Sequence, residues 1–379
     1  MPGSFCYMAN LAARGGAFTA VQNLSPDAHS RSAFLFDLPR PTLEEGKTVD
    51  RELDKRAEGI AQCGKLGGRI YFDVHDFPPE LLTETGLQPI EYLAQRLRRS
   101  GAVCVPVTGT ISDRGPDYVE SVRDIAIADQ RGVCLRLARD ELEEPSFLED
   151  AIGATLEALR VSPGKTDLVM NFAFVGNDKA ERLRSVAKDA LDAINGIGAF
   201  RNIVLSGTSI PAQLGKRTKG EVLRFRRVEY EIWSDVARML AGTRDLAFGD
   251  HGIIEIHHAP PAKVVKPPAR IRYTTPLDHV IRRAARDDYQ LLCKELVTSK
   301  DFMGRNFSFG DQKLATVAMF GAGQFSPGSA VANDANHHIE FVSQQVWQHI
   351  GACGGEGQFA LPRALSRAWL NQLLDIGAD

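Results

Sequence analysis

The sequence is poor in cysteine, and its cysteines are scattered. Only six occur in 379 residues, and none belongs to a C-x-x-C pair. Free cysteines inside apolar segments behave as small buried hydrophobic residues, so this usage favours a reducing compartment over a disulfide scaffold or a zinc site. We therefore expect a cytoplasmic protein.

Long apolar runs and a strong excess of charge are also missing. No apolar run approaches the roughly 18 residues that a membrane-spanning helix needs. Residues 1–11 lack the basic segment and long apolar core of a signal peptide. The net charge of −3 and pI near 6.3 do not suggest bulk affinity for nucleic acids or membranes. We expect no membrane partner, and nucleic-acid binding stays open.

Well-known motifs for cofactor and metal binding are not found in a suitable context. Gly164-Lys165-Thr166 precedes a predicted strand, whereas a P-loop lysine follows a strand and opens a helix. The pairs His257-His258 and His337-His338 are adjacent and lack the i, i+4 spacing of zinc ligands on a helix. The sequence therefore identifies no cofactor and predicts no metal site.

A repeat of about 34 residues is the strongest positive signal. Short β-type apolar runs alternate with amphipathic, helix-like stretches, and the runs begin near Phe5, Ala33, Gly68, Ala102, Gly132, Asp167, Arg201 and Leu246. About eight strand–helix units in about 250 residues are typical of a closed barrel. We predict an α/β protein with a TIM-like (β/α)8 barrel over residues 1–258.

The repeat stops after Ile256, and the remaining sequence predicts a C-terminal α+β appendage over residues 259–379. A proline-rich linker or long loop is predicted at 257–268, and a loop rich in Gly, Ser and Pro at 321–333. The other predicted elements are a hairpin from 270–275 and 279–282, a turn and a helix within 304–319, and helices over 289–298, 336–350 and 361–374. We expect this appendage to pack on the carboxyl side of the barrel.

Polar residues lie at or near the carboxyl ends of the predicted strands, where barrel enzymes hold their active sites. Arg136 and Asn171 interrupt apolar runs, and a buried charge or amide needs a partner. We predict that Asp73, Arg136 and Asp250 share one polar cluster with Asn171 or Ser206. The candidates as a set are Asp73, Arg136, Asn171, Ser206, Thr208, Ser209, Asp250 and His251.

Two interpretations of these residues stay open. They line a polar pocket for a ligand, or they satisfy one another as a buried network inside the barrel. Desolvation offsets much of the Coulomb attraction in an ionised network, which tilts the balance slightly toward binding. The turn from Ser206 to Ser209 suits a phosphate, although an ordinary loop with a helix cap is the alternative.

Eight short motifs, in a fixed order, carry a resemblance to a known family. They are Asp73, Ser206 to Pro211, Arg227 to Trp233, Phe248 to Asp250, Ile271 to Thr274, Tyr289 to Cys293, Phe307 to Asp311, and Asn336 to His338. Together they resemble the beta family, named after the beta protein of a satellite phage. The resemblance covers most of the chain and is strongest from residue 200 onward.

The resemblance implies that the gene for this protein lies near phage and mobile-element genes. It also implies that the protein acts in toxin control and anti-phage defence. It implies no settled catalytic activity or cofactor. The family tends to have a lysine and a glutamate after the first strand, where this sequence has Arg14 among small residues, which puts any catalysis by those charges in doubt. The motifs would bring Asp73, Ser206, Asp250 and Arg272 to the barrel mouth, with Asn336-His337-His338 opening a helix that caps it.

Two functions from different classes follow. The favoured one is a phage-defence or toxin-regulating protein that binds a partner protein encoded nearby, or a small ligand, at the barrel mouth. Its candidate binding residues are Arg136, Asn171, Ser206, Thr208, Ser209, Arg272 and His337. The alternative is a hydrolase or lyase acting on a phosphorylated or nucleotide-like substrate, with Asp73, Asp250 and His251 as catalytic residues. A metal-dependent hydrolase would need Asp73, Asp250 and His75 to converge.

Overall fold

Eight parallel strands close into a barrel, which confirms the predicted (β/α)8 architecture. The computed structural model of the chain describes residues 5–41, 48–214, 221–253, 268–284, 288–321, 323 and 325–352. Numbered in chain order, the barrel strands are β1 (Tyr7–Ala12), β2 (Ser32–Asp37), β3 (Arg69–Asp73), β4 (Cys104–Thr108), β5 (Val133–Leu137), β6 (Thr166–Phe174), β7 (Asn202–Thr208) and β9 (Ala247–Asp250). β9 pairs with both β1 and β7 and so closes the barrel.

Helices follow most of the barrel strands and bury their apolar stripes against them. In α4 (Pro89–Arg99), for example, Ile90, Leu93 and Leu97 are buried at helical spacing, and the Glu91 side chain accepts a hydrogen bond from the Gln88 N–H at the helix start. These helices are α1 (Gly15–Gln22), α2 (Pro26–Arg31), α3 (Val49–Gly64), α4 (Pro89–Arg99), α5 (Ile111–Arg114), α6 (Pro116–Asp129), α7 (Arg139–Leu142), α8 (Pro145–Leu159), α9 (Ala180–Ile194) and α10 (Val228–Met239). Within the described part of the chain, no helix has the length and apolar character to cross a membrane.

The barrel interior has an apolar middle and an ionic layer at its amino end. Alternate strand residues form one inner cluster, which includes Met8, Leu35, Tyr71, Val105, Cys134, Val169, Val204 and Ala247. Below it, the buried Asp167 carboxylate accepts hydrogen bonds from Tyr71 Oη (2.7 Å), Arg201 Nε (2.8 Å) and Asn202 Nδ2 (2.6 Å). The amino end of the barrel is therefore closed by paired polar groups.

The appendage is a three-stranded antiparallel sheet with three helices. Two of its strands are β10 (Arg270–Thr274) and β11 (Asp278–Arg283). Its helices are α11 (Tyr289–Val297), α12 (Phe309–Phe320) and α13 (Pro327–Ala352). The predicted hairpin is present as β10 and β11. Its third strand, β8 (Val222–Arg226), comes from between β7 and β9 and was not predicted. The predicted domain boundary at 258 and the helix at 361–374 lie outside the described residues.

The predicted loop over 321–333 is wrong from Pro327 onward, because α13 begins there. Small residues gave this stretch the composition of a loop. Two of them, Ala330 and Ala332, are buried. α13 also lies close to α1, where a Cβ on Gly16 would lie 2.9 Å from the Val331 side chain. Asn336, His337 and His338 consequently lie inside a long helix and do not open one, which corrects the prediction for that motif.

α13 joins the appendage to the barrel through buried apolar and polar contacts. Phe341, Val342 and Val346 belong to the same core as the barrel strands and helices. Asn336 Nδ2 donates to the carbonyl oxygens of Ala20 and Asn23 at 3.0 Å each, and its Oδ1 accepts from the Gly310 N–H at 2.8 Å. One amide thus connects the barrel, α12 and α13.

We expect Asn336→Ala to lower the free energy of unfolding by about 2 kcal/mol, because the Gly310 N–H and the Asn23 carbonyl lose their side-chain partner. The Ala20 carbonyl keeps the hydrogen bond that it accepts from the Asn23 N–H. Urea denaturation provides the measurement. Asn306→Ala, at an exposed position, is the matched control and should change stability by less than about 0.5 kcal/mol. Equal stability of the two variants would contradict the anchoring role.

Candidate functional site at the barrel mouth

The inner face of the barrel ends in a polar layer at its carboxyl end. Each member lies two residues after an inward-facing apolar residue, so its side chain points into the barrel. Asp37 follows Leu35 in this way, and Asp73 follows Tyr71. All members are buried, and the layer comprises Asn10, Asp37, Asp73, Arg136, Asn171 and Ser206.

Arg136 joins two carboxylates of this layer. Its Nη1 lies 2.9 Å from Asp37 Oδ2 and 3.3 Å from Asp73 Oδ2. Asp73 also receives two hydrogen bonds from Arg114 of α5, at 3.0 and 2.9 Å. The structure therefore brings the predicted residues Asp73 and Arg136 together, and it adds Arg114, which the sequence alone did not indicate.

The charge of Asp73 is stabilised by its arginine partners. Burial opposes ionisation of this carboxyl, but Arg114 and Arg136 outweigh that effect and lower its pKa to about 2. Asp73 is therefore ionised at neutral pH and held by two cations.

A second inner group consists of two asparagines and a histidine. Asn171 Oδ1 lies 2.9 Å from Nε2 of His251, which follows β9 and is 2% exposed. Asn10 Oδ1, on β1, is buried and has no hydrogen-bond partner within the described residues. The sequence indicated Asn171 and His251 as site residues; Asn10 was missed, although it also stands at a strand end.

Asp250 does not join the Arg136 network, which corrects the predicted three-residue cluster. Gly249 faces inward, where a Cβ would lie 2.8 Å from Val204 Cγ1, so the neighbouring Asp250 points out of the barrel wall. It accepts hydrogen bonds from Tyr7 Oη (2.8 Å), Gly252 N–H (2.9 Å) and His338 Nε2 (3.0 Å). Asp250 therefore anchors α13 to the barrel.

The electrostatics of this pair favour an anionic Asp250 and a neutral His338. Burial opposes the charge of Asp250, but His338 and the other donors outweigh it and lower the pKa of the carboxyl. Burial lowers the pKa of His338 as well. A neutral ring that donates from Nε2 is left with Nδ1 as an acceptor for the Thr274 hydroxyl, 2.7 Å away.

The predicted phosphate turn after β7 is occupied by protein contacts. Ser209 Oγ donates to Glu229 of α10 and accepts from the Val228 N–H. Glu229 is buried, and the hydrogen bond from His279 helps to lower its pKa against the effect of burial. Thr208 Oγ1 accepts from the Ile210 N–H. A buried carboxylate beside the turn opposes a bound phosphate.

Arg272 and His337, two predicted binding residues, lie in the appendage interior. The N–H of Arg272 donates to Asp334 Oδ2 at 2.9 Å, and burial raises the pKa of Asp334 to about 8 against the opposing effect of Arg272. His337 is fully buried, stacks on Tyr273, and directs its ring nitrogens at Asp311 and the Thr274 carbonyl. Neither residue stands at a free surface of the mouth.

The mouth therefore has a covered sector and an open sector. α13 and the appendage sheet cover the sector of β7 and β9 through Asp250–His338 and Glu229–His279. In the open sector, Arg14, Arg40 and His75 are exposed in the loops that follow β1, β2 and β3. Among the described residues, no group of three or more His, Cys, Asp or Glu side chains is arranged to hold a metal ion.

Together, fold and site define a (β/α)8-barrel protein whose mouth holds an internally paired ionic layer and is partly covered by an appendage. The profile of the family described as "Beta protein" matches residues 7–344. This chain belongs to the Beta protein family, which confirms the resemblance seen in its motifs. No curated protein matches the chain.

Solved structures similar to the chain are distant. The xylanase CbXyn10B in native form is 12% identical with a TM-score of 0.38, over 65% of this chain and 83% of that one. A β-mannanase from Streptomyces thermolilacinus is 13% identical with a TM-score of 0.40, over 65% and 77%. Tryptophan synthase from M. tuberculosis is 11% identical with a TM-score of 0.36, over 66% and 84%. Likeness at this level carries no argument about activity.

Arg136→Ala is expected to lower the free energy of unfolding by about 3–5 kcal/mol, because it leaves buried carboxylates without a cation. Asp73 keeps Arg114, so Asp37 is the carboxylate most affected. Adding Asp37→Asn should recover part of the loss. Arg123→Ala, which removes partly exposed ion pairs with Glu120 and Asp124, should have a much smaller effect, because exposed ion pairs contribute little to stability. An unchanged melting temperature in Arg136→Ala would refute the network.

Asp73 should contribute to stability at neutral pH and lose that contribution in acid. Its folded pKa of about 2 lies below its ordinary value of 3.8, so its contribution is complete above about pH 4 and disappears as pH falls toward 2. The difference corresponds to about 2 kcal/mol. Urea denaturation between pH 5 and pH 2.5 should show a steeper loss for the wild type than for Asp73→Asn. Parallel losses would show that Asp73 is not the group responsible.

Proposed function

We propose that this member of the Beta protein family is a phage-defence or toxin-regulating protein that acts by binding a partner protein at the barrel mouth, without turnover. The supporting observation is the state of the two carboxylates that catalysis would need. Asp73 and Asp250 are both buried, and both oxygens of each carboxylate accept hydrogen bonds from the same chain.

Such carboxylates are poorly suited to proton transfer or nucleophilic attack. A general acid or base works best with a pKa near the working pH and must reach the proton that it transfers. The pKa values of Asp73 and Asp250 are both lowered. These two residues also point to opposite faces of the barrel wall, so they do not act on one substrate atom. A structural role for both supports binding over turnover.

The open sector of the mouth is the surface proposed for the partner. β1, β2 and β3 are neighbours in the barrel, so the loops that carry Arg14, Arg40 and His75 lie side by side. The two arginines are exposed and suit an acidic surface, since complementary charge steers association and selects partners. A partner protein encoded nearby is the proposed occupant.

The double variant Arg14→Glu/Arg40→Glu should reduce phage protection or toxin control at least tenfold, because it reverses the charge of the open sector. Efficiency of phage plating, in cells that carry the protein with its neighbouring genes, is the measurement. Lys188→Glu, an exposed charge reversal on α9, is the control. Full protection by the double variant, with unchanged melting temperature, would contradict the proposed surface.

A barrel-mouth enzyme is kept as the second candidate because of one observation. Asn171 orients His251 in the inner layer at 2.9 Å, as a base is oriented in many enzymes. Calorimetric titration with nucleoside triphosphates, with and without Mg²⁺, separates the candidates. Absence of heat supports the partner-binding proposal. Binding that His251→Asn abolishes would instead favour an enzyme acting on a phosphorylated substrate.

A further inference from the structure

A groove of about 400 Å³ runs between α11 and α12 in the appendage. We call it the α11–α12 groove. It shares no residue with the open sector of the mouth or with the buried networks described above. Its lining consists of Lys294, Val297, Thr298, Phe302, Arg305, Ala315, Thr316, Ala318, Met319 and Phe320.

The groove leaves large apolar side chains in water. Phe320 is 79% exposed and Met319 is 65% exposed, and both stand at the end of α12 just before Gly321. Single exposed apolar residues are normal on protein surfaces, whereas neighbouring ones along a concave surface mark an interaction site. Val297 and Phe302 pack against the appendage core and give the groove a firm apolar floor.

Every charged residue that lines the groove is a cation. Lys294 and Arg305 are exposed, and none of the ten lining residues is acidic. The nearby carboxylate of Asp301 is only 6% exposed and is paired with Arg224 at 2.7 Å and Arg282 at 3.3 Å. It therefore does not neutralise the two cations, and the groove combines an apolar floor with a positive rim.

We propose that the α11–α12 groove is a docking site for an acidic amphipathic helix of a partner protein. An amphipathic helix binds by placing apolar residues at i, i+3 or i+4 and i+7 into a groove between elements of its receptor. Glu or Asp residues beside that apolar row would meet Lys294 and Arg305. This surface is separate from the open sector, so the inference goes beyond the function proposed above.

The other occupants fit the groove less well. The chain's own residues 361–374 include Arg363 and Arg367 and no acidic residue, so their charge repels the rim. A second copy offers Phe147 of α8, which is 65% exposed beside the acidic Glu144 and Glu149. Phe147 is a single large apolar residue, however, and the exposed residues that follow it on α8 are Glu149, Asp150, Ala154 and Glu157, which form no apolar row. A separate partner with a complete apolar row is the better occupant.

The test uses two synthetic 16-residue helical peptides with the same leucine row, one flanked by glutamates and the other by lysines. Binding to the full-length protein is followed by fluorescence anisotropy. We expect the acidic peptide to bind at least tenfold more tightly than the basic one. Met319→Ser/Phe320→Ser should weaken that binding at least tenfold, and Lys294→Glu/Arg305→Glu should reverse the preference between the peptides.

Matched controls use similar residues elsewhere on the surface. Met239→Ser removes a methionine that is 62% exposed on α10, and Lys300→Glu reverses an exposed charge that does not line the groove. Both should leave peptide affinity unchanged. The open-sector variant Arg14→Glu/Arg40→Glu should also bind the acidic peptide normally, so failure of the mouth proposal and failure of this one are distinguishable.

Three outcomes would overturn the proposal. The first is equal affinity for both peptides, or no binding of either. The second is concentration-dependent self-association that Phe147→Ser abolishes, which would assign the groove to a second copy. The third is a chemical cross-link within single chains between the groove and residues 361–374, which would assign it to the chain's own segment.

Discussion

Side-chain alternation along closed parallel strands is the constraint on which this structure depends. It sends Asp37, Asp73 and Arg136 into the barrel, where they pair with one another. It sends Tyr7 and Asp250 outward, where Asp250 accepts hydrogen bonds from Tyr7 and from His338 of α13. Polar residues that look equivalent in the sequence therefore serve two purposes: one set fills the mouth, and the other attaches the appendage.

The two sets stabilise different parts of the molecule by the same energetic principle. A buried ion pair gains little over an apolar replacement, because removing its charges from water offsets their attraction, yet removing one partner is costly. The inner network therefore acts mainly by penalising any arrangement that separates Arg136 from Asp37 and Asp73. The outer contacts act in the same way on the appendage, since α13 can satisfy Asp250 only in one position.

Much of the fold was predictable from the sequence, because strand and helix periodicity is a local property. The 34-residue repeat located all eight barrel strands, and Arg136 within an apolar run indicated a buried acidic partner. Three features were not predictable in this way. β8 is short and half exposed, α13 begins in small residues whose composition resembles that of a loop, and the direction of Asp250 depends on the register of β9.

The partners in the site were the least predictable part. Arg114 reaches Asp73 across 41 positions, and His338 reaches Asp250 across 88. No spacing in the sequence indicates such pairs, because the topology of the barrel and appendage brings them together. The sequence marked the residues that need partners, and only the fold identifies which partners they take.

The appendage is bonded to the mouth closely enough that its outer surface is fixed relative to the barrel. Asp311 sits in the first turn of α12, accepts from Ser308 and Tyr273, and faces His337 at 2.8 Å. The next residue of α13, His338, is bonded to Asp250 of the barrel. A chain of buried contacts thus runs from the barrel wall through α13 to the helix that carries the α11–α12 groove. Each contact in this series is costly to break without a replacement. The α11–α12 groove and the open sector therefore belong to one rigid body, and partners bound at the two surfaces would be held in a fixed relative position.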